Sequence, residues 1–282
     1  MLGKALQLAS AGNSAGETVN FADISNYSWV RFNKMGVASS VNARCCFVSP
    51  DGTKFYTLDA SDRLREYSLS TPYDISTYTS TSFLLTGGSN GNDNPLGMYF
   101  KPDGTRLWIT DSDDYCYVWN LTTAWDLSTL SYVGADSFTG PFDNFGQPFW
   151  KPDGTQFMAT DSVIDRVRSF SVPTAWDIFS VNTSSYSQSS LMDVSPISEV
   201  AARGMFWSND GTKVYMAGAG KDQIQMWNTD PWDVTDISGS PDDVLGIGTQ
   251  ETDMTGLCFS ADGKHLYVTG NAGDGVDQFV RS

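Results

Sequence analysis

Five near-copies of one unit, an acid content that is almost all aspartate, and two chain ends in complementary phase predict an all-β fold, a five-bladed β-propeller. The repeat is marked by Asp-Gly pairs at Asp51, Asp103, Asp153, Asp210 and Asp262, spaced 52, 50, 57 and 52 residues apart. Glutamate occurs only at positions 17, 66, 199 and 251. Aspartate favours turns and glutamate favours helices, so this bias points to a loop-rich β protein.

Within a unit the elements follow in a fixed order. In "FKPDGTRLWITDSDDYCYVWNLTTAWDLST" an apolar strand at Met98–Phe100 meets a Pro-Asp-Gly turn. There the proline presets φ, the aspartate accepts a local hydrogen bond and the glycine takes a positive φ. A second strand covers Leu107–Thr110, an Asp-rich loop follows, and a third strand covers Tyr115–Leu121. A weaker fourth strand comes after "TAWDLST". Four short antiparallel strands make one blade.

The fifth copy stops at Phe279, which aligns with Tyr67, Trp119, Phe170 and Trp227. The missing outer strand lies at the other end of the chain. "FADISNY" at 21–27 matches "PYDISTY" at 72–78, so Asp23 aligns with Asp74, Asp126, Asp177 and Asp233. An N-terminal outer strand therefore completes the C-terminal blade, and the ring closes by backbone pairing. The alternative is an open array continued by a neighbouring chain. Residues 21–282 form the propeller, and residues 1–20, rich in Ala, Gly and Ser, are expected to be a flexible docking arm with Leu2, Lys4, Leu6 and Leu8 as contacts. The longer spacing places extra chain between Ile178 and Arg203, around "SQSSLMDVSPISEV", and predicts an enlarged loop on the face of the Asp-rich loops.

Charge narrows the partners. The formal net charge is −16, with no Lys/Arg cluster, so nucleic acid is not an expected partner, and neither is an acidic lipid surface. No apolar run reaches the ~20 residues of a transmembrane helix. The N-terminus is a poor match to a secretory signal, so the chain is expected to fold in a reducing cytoplasm.

The single histidine, His265, shares the slot of Lys54, Arg106, Gln156 and Lys213, which reads as solvent-facing on the second strand. Cys258 stands where Phe47, Tyr99, Phe149 and Phe206 stand, and Cys116 aligns with Leu64, Val167, Ile224 and Val276. Both are core positions, and the adjacent Cys45 and Cys46 lie on an inner strand; no metal-ligand spacing or disulfide framework results. Aromatics at 73, 125, 176 and 232 precede the repeated aspartate in register and read as wedges between blades.

Candidate ligand-face residues are Asp111, Asp113 and Asp114 in an Asp-rich loop, the off-register Phe142 and Phe145, and Met192 and Glu199 in the enlarged connection. Asp59, Asp62, Asp161, Asp165, Asp222 and Asp274 occupy equivalent loops. Their regular recurrence favours turn chemistry over Ca²⁺ binding, because "DSDD" lacks the glycine and distal glutamate of a calcium loop. Some glycosidases use five-bladed propellers and need two carboxylates flanking a sugar bond. A catalytic pair should break the repeat, and only Glu199 does so clearly. No catalytic residue, metal or cofactor is expected.

The unit "F-x-P-D-G-T … Y-x-L-S-T-P-x-D-I-S-T" resembles the repeat of propeller-like virion proteins of tailed bacteriophages, marine ones especially. The opening "MLGKALQLASAGNSAGE" is similar to short Gly/Ala-rich openings of such virion proteins. The resemblance implies a non-enzymatic tail, fibre or head-decoration component. It would dock on other virion proteins through its arm, contact a host surface glycan or protein, and reside in the virion after assembly in the host cytoplasm. A free carbohydrate-binding propeller is the alternative, followed by a glycosidase.

Overall fold

The computed structural model describes residues 21, 23–35, 42–85, 94–182, 191–193, 202–237, 239–273 and 275–282. The expected arm residues Leu2, Lys4, Leu6 and Leu8, together with Glu199 and Asp274, lie outside the described residues. Twenty strands form five four-stranded antiparallel sheets among the described residues.

Blade 1 runs outward through β2 (Ala43–Val48), β3 (Lys54–Asp59), β4 (Arg63–Leu69) and β5 (Tyr78–Leu85). Blade 2 comprises β6 (Pro95–Phe100), β7 (Arg106–Asp111), β8 (Tyr115–Leu121) and β9 (Leu130–Ser137). Blade 3 comprises β10 (Phe145–Trp150), β11 (Gln156–Asp161), β12 (Arg166–Ser171) and β13 (Leu191–Asp193). Blade 4 comprises β14 (Ala202–Trp207), β15 (Lys213–Gly218), β16 (Gln223–Asn228) and β17 (Asp243–Gly246). Blade 5 takes β18 (Met254–Phe259), β19 (His265–Gly270) and β20 (Gly275–Arg281) from the C-terminus and β1 (Tyr27–Asn33) from the N-terminus.

The closure occurs in the expected phase. β1 pairs with β20 from Tyr27↔Arg281 to Asn33↔Val276. Phe21, Ile24 and Tyr27 are buried against Phe259 and its neighbours, so the seam is a piece of core as well as a ladder.

The Pro-Asp-Gly turn works as its residues require. In blade 2, Asp103 accepts from the Thr105 amide at 3.0 Å and its hydroxyl at 2.6 Å, while the Gly104 amide donates to Lys101 O at 2.8 Å. Gly104 has φ +72°, and an added Cβ would stand 2.4 Å from the Trp125 indole. Trp125 lies on that turn and stacks on Phe47 of blade 1, with ring centroids 6.1 Å apart. Trp232 does the same on Phe149 of blade 3, and Trp176 on Trp108 of blade 2. The in-register aromatics are therefore both lids over glycine and wedges between blades. On blade 5, Phe21 covers Gly263 in the equivalent place.

The carbonyl of each wedge is held from the preceding blade. Tyr56 Oη donates to Trp125 O at 2.6 Å, Arg106 to Trp176 O at 2.9 Å, Gln156 to Trp232 O at 3.0 Å, and Tyr267 Oη to Tyr73 O at 2.6 Å. This corrects the reading of His265. Its slot is an inter-blade contact, and the imidazole stacks on Tyr73 at 5.3 Å while Nδ1 faces Gln278 Nε2 at 3.1 Å.

The enlarged connection also needs correction. Asp193 pairs with Arg166 as Ser137 pairs with Tyr115 and Leu85 with Arg63. Sixteen residues separate Asp177 from Asp193, against eleven in each of the other two blades. The extra residues thus precede β13 in the sequence, and the segment after β13 is of ordinary length.

All four cysteines are free and buried. Cys46 Sγ lies 3.2 Å from Cys258 Sγ, across the junction of blades 1 and 5. Burial pushes the thiols of Cys45, Cys46, Cys116 and Cys258 above their ordinary value, so little reactive thiolate forms. Titration of the native protein with an aromatic disulfide near pH ~8 should label none of the four within minutes, and all four after denaturation. Rapid labelling of Cys258 in the native state would contradict this packing.

Candidate functional site

The innermost strands meet at one repeated position, occupied by Cys45, Gly97, Gln147, Gly204 and Gly256. Side chains are excluded there by neighbouring backbone. A Cβ on Gly97 would stand 2.5 Å from Gln147 Cα, and one on Gly256 would stand 2.8 Å from Arg44 O. Cys45 and Gln147 are the exceptions, and Gln147 fills the space with a long polar side chain. Its Nε2 donates to Leu257 O at 2.9 Å, and its Oε1 accepts from the amides of Met205 at 3.3 Å and Leu257 at 3.4 Å. One buried side chain from blade 3 thereby ties blades 4 and 5 together and lines the larger of two axial cavities.

The cavity on the Pro-Asp-Gly face has a volume of about 680 Å³. Its wall is the repeated inner-strand position Phe47, Tyr99, Phe149, Phe206 and Cys258, with Trp125 and Trp176 nearer the rim. The wall is apolar because each of these rings also packs on the next blade, as Phe47 does on Tyr99 and Phe149 on Phe206.

The cavity on the opposite face is smaller, about 150 Å³, and polar. It is lined by Arg44, Asn94, Asn144, Ser162, Arg203 and Thr255, among others. Arg203 pairs with Asp253 at 2.5 Å, and Arg44 donates to Asn94 Oδ1 at 3.2 Å. Two guanidinium groups at one axial mouth stand out in a chain of net charge −16.

The predicted ligand-face residues separate on inspection. Asp111 is fully buried and accepts from the amides of Asp113 at 3.1 Å and Tyr115 at 2.9 Å, so it shapes its own hairpin. Asp113 is exposed at the tip, and Asp114 is buried with a left-handed φ of 64°. Asp62 and Asp165 take the same backbone conformation in their loops, as turn residues do. Phe142 and Phe145 do not line a face. They stack on each other at 4.3 Å within a buried cluster that includes Phe138, Phe157 and Phe170. The β9–β10 connection folds inward there, its Phe142 amide donating to Phe138 O at 3.3 Å. Met192 belongs to the outer strand of blade 3, opposite Val167, rather than to a loop.

Among the described residues no group of three or more His, Cys, Asp or Glu side chains is arranged to hold a metal ion. No helix among them is long and apolar enough to cross a membrane.

The carboxylates of the two faces titrate in opposite directions. Burial lifts Asp111 to about 6, and burial aided by the charges of Asp161, Asp143 and Asp111 lifts Asp114 to about 7. Asp277 is raised to about 6 by burial and by Glu251. In Asp51, Asp103, Asp153 and Asp210 partial burial acts upward, but hydrogen bonds from the Ser, Thr or Lys of each turn together outweigh it and hold the carboxyls below their ordinary 3.8. The raised group makes the folded state bind more protons than the unfolded chain between about pH 4 and 7, so stability falls as pH rises through that window. The lowered group supplies stability that is lost as pH drops through their folded values, below 3.8. Melting temperature should therefore be highest near about pH 4 and decline by several degrees by about pH 7–8. A flat or rising profile from pH ~5 to ~8, at constant ionic strength, would contradict these assignments.

Sequence reading missed Gln147, Arg44 and Arg203. A signal existed for the first: a glutamine at a position that is glycine in three other blades. No protein-family model and no curated protein matches the chain.

Proposed function

We propose that this chain is a non-enzymatic structural component of a tailed-phage particle, attached through residues 1–20 and presenting its Asp-loop face outward. The observation that carries the orientation is the seat of Phe21. It packs on Gly263 and against Phe206 and Phe259, at the Pro-Asp-Gly face of the blade 4–5 junction. Phe21 thus sits on the face opposite the polar axial mouth. Attachment on one face leaves the other free for a host surface. Rigidity suits the role, since every blade is clamped to the next by a wedge ring or a seam strand.

The reading is tested by quantitative mass spectrometry of purified particles from the source. Presence at a fixed copy number matching a tail or capsid symmetry is expected, together with loss of incorporation when residues 2–20 are deleted. Absence from particles would overturn it and move the free carbohydrate-binding propeller to the front. The glycosidase reading rests on Glu199, the one acid that clearly breaks the repeat. Glycan hydrolysis abolished by Glu199→Gln would establish that reading instead.

A further inference from the structure

We infer that the polar axial mouth is a binding site for the carboxylate-bearing ring of an acidic sugar, held by Arg44 and Arg203 with Asn144 as its hydroxyl acceptor. The inference does not depend on whether the ring is mounted on a particle.

The site is built from three blades. Arg44 comes from the innermost strand of blade 1 and Arg203 from that of blade 4, and both point into one cavity of about 150 Å³ with Asn144 from the approach to blade 3. A cavity of that order admits a single six-membered ring and no longer oligosaccharide, so recognition would be of a terminal unit. The charge within it is incompletely matched. Asp253 engages Arg203, whereas among the described residues Arg44 has only a neutral amide oxygen, Asn94 Oδ1, as its hydrogen-bond partner, and its buried Nε has none. Burial and the charge of Arg203 lower the Arg44 value, and Asp253 only partly opposes them. An added carboxylate would meet two guanidinium groups and relieve their mutual repulsion.

The same cavity holds a second unmet demand of opposite kind. Asn144 Oδ1 is buried and has no donor among the described residues. An inorganic anion satisfies the arginines and leaves that oxygen as it is. A neutral sugar does the reverse. A hydroxylated carboxylate meets both, with its carboxylate on the guanidinium pair and a ring hydroxyl donating to Asn144 Oδ1.

The experiment is isothermal titration of the full chain with D-glucuronate, D-glucose and inorganic sulfate as separate probes. Saturable one-to-one binding is expected for glucuronate and none for glucose. Arg44→Gln should weaken glucuronate by about tenfold or more, and Asn144→Ala by a smaller factor. Asp253→Asn removes the carboxylate that competes for Arg203 and should tighten binding, a gain that misfolding would not produce. No saturation with glucuronate, or affinity unchanged in Arg44→Gln and Asp253→Asn alike, would overturn the site. Sulfate bound as tightly as glucuronate, with Asn144→Ala silent, would overturn the acidic-sugar assignment.

Discussion

Deleting residues 21–33 is expected to abolish the folded, monomeric ring. β1 is the outer strand of blade 5, and its removal strips six paired positions from β20. Phe21, Ile24 and Tyr27 leave the core with it, each worth about 1.5–3 kcal/mol when buried. Tyr27 Oη also donates to Gly263 O, and Lys213 of blade 4 pairs with Asp23 at 3.0 Å, so the seam loses polar links too. The combined loss, about 5 kcal/mol or more, is comparable with the whole stability of an ordinary domain. The bared β20 edge would then recruit other chains. Size-exclusion chromatography and circular dichroism check this: aggregated or unfolded material is expected. A monomer with the parent's melting temperature would contradict it.

Glu251→Ala is expected to be the costliest single substitution of a polar side chain. The carboxylate is 2 % exposed, and its Oε1 accepts from the amides of Thr252 at 3.0 Å, Asp253 at 2.8 Å and Ala272 at 3.0 Å. Its Oε2 accepts from Gly273 at 3.1 Å. Truncation leaves four amides without their acceptor and opens a void against Gly270, where an added Cβ would lie 2.0 Å from Glu251 Cδ. A loss of about 3–5 kcal/mol follows. Glu251→Gln keeps the shape and one acceptor oxygen and should lose less. Urea unfolding midpoints measure both, and an alanine variant within about 0.5 kcal/mol of the parent would contradict the role.

These two cases mark what was legible in the sequence. The blade count, the strand order and the seam were written in repeated residues, because each blade solves the same turn and packing problem with the same side chains. Asp23 and Ile24 could be aligned with Asp74 and Ile75 for that reason. Readings failed where a residue departs from the repeat or where its surroundings come from another blade. Phe142 and Phe145 were read as ligand-face residues because they stand off the repeat's register, yet a local inward fold buries them. His265 shares its slot with charged residues, which implied solvent, whereas that slot reaches the next blade's wedge. Arg44 and Arg203 lie far apart in sequence, and only the convergence of blades 1 and 4 on the axis brings them together. Glu251 was visible as a rare glutamate, but its four amide donors come from two separate turns.

Ring closure within one chain is the claim on which the fold, the two axial cavities and the opposition of the two faces all depend. A double variant, Ser28→Cys with Val280→Cys, tests it at a directly paired position of β1 and β20. Mild oxidation, followed by non-reducing electrophoresis and mass analysis, should yield a monomer with an intrachain 28–280 disulfide. Its melting temperature should be higher than that of the reduced form. Covalent dimers or longer ladders linked through 28–280 would show that the outer strand of blade 5 comes from a neighbouring chain, and would contradict the closed ring.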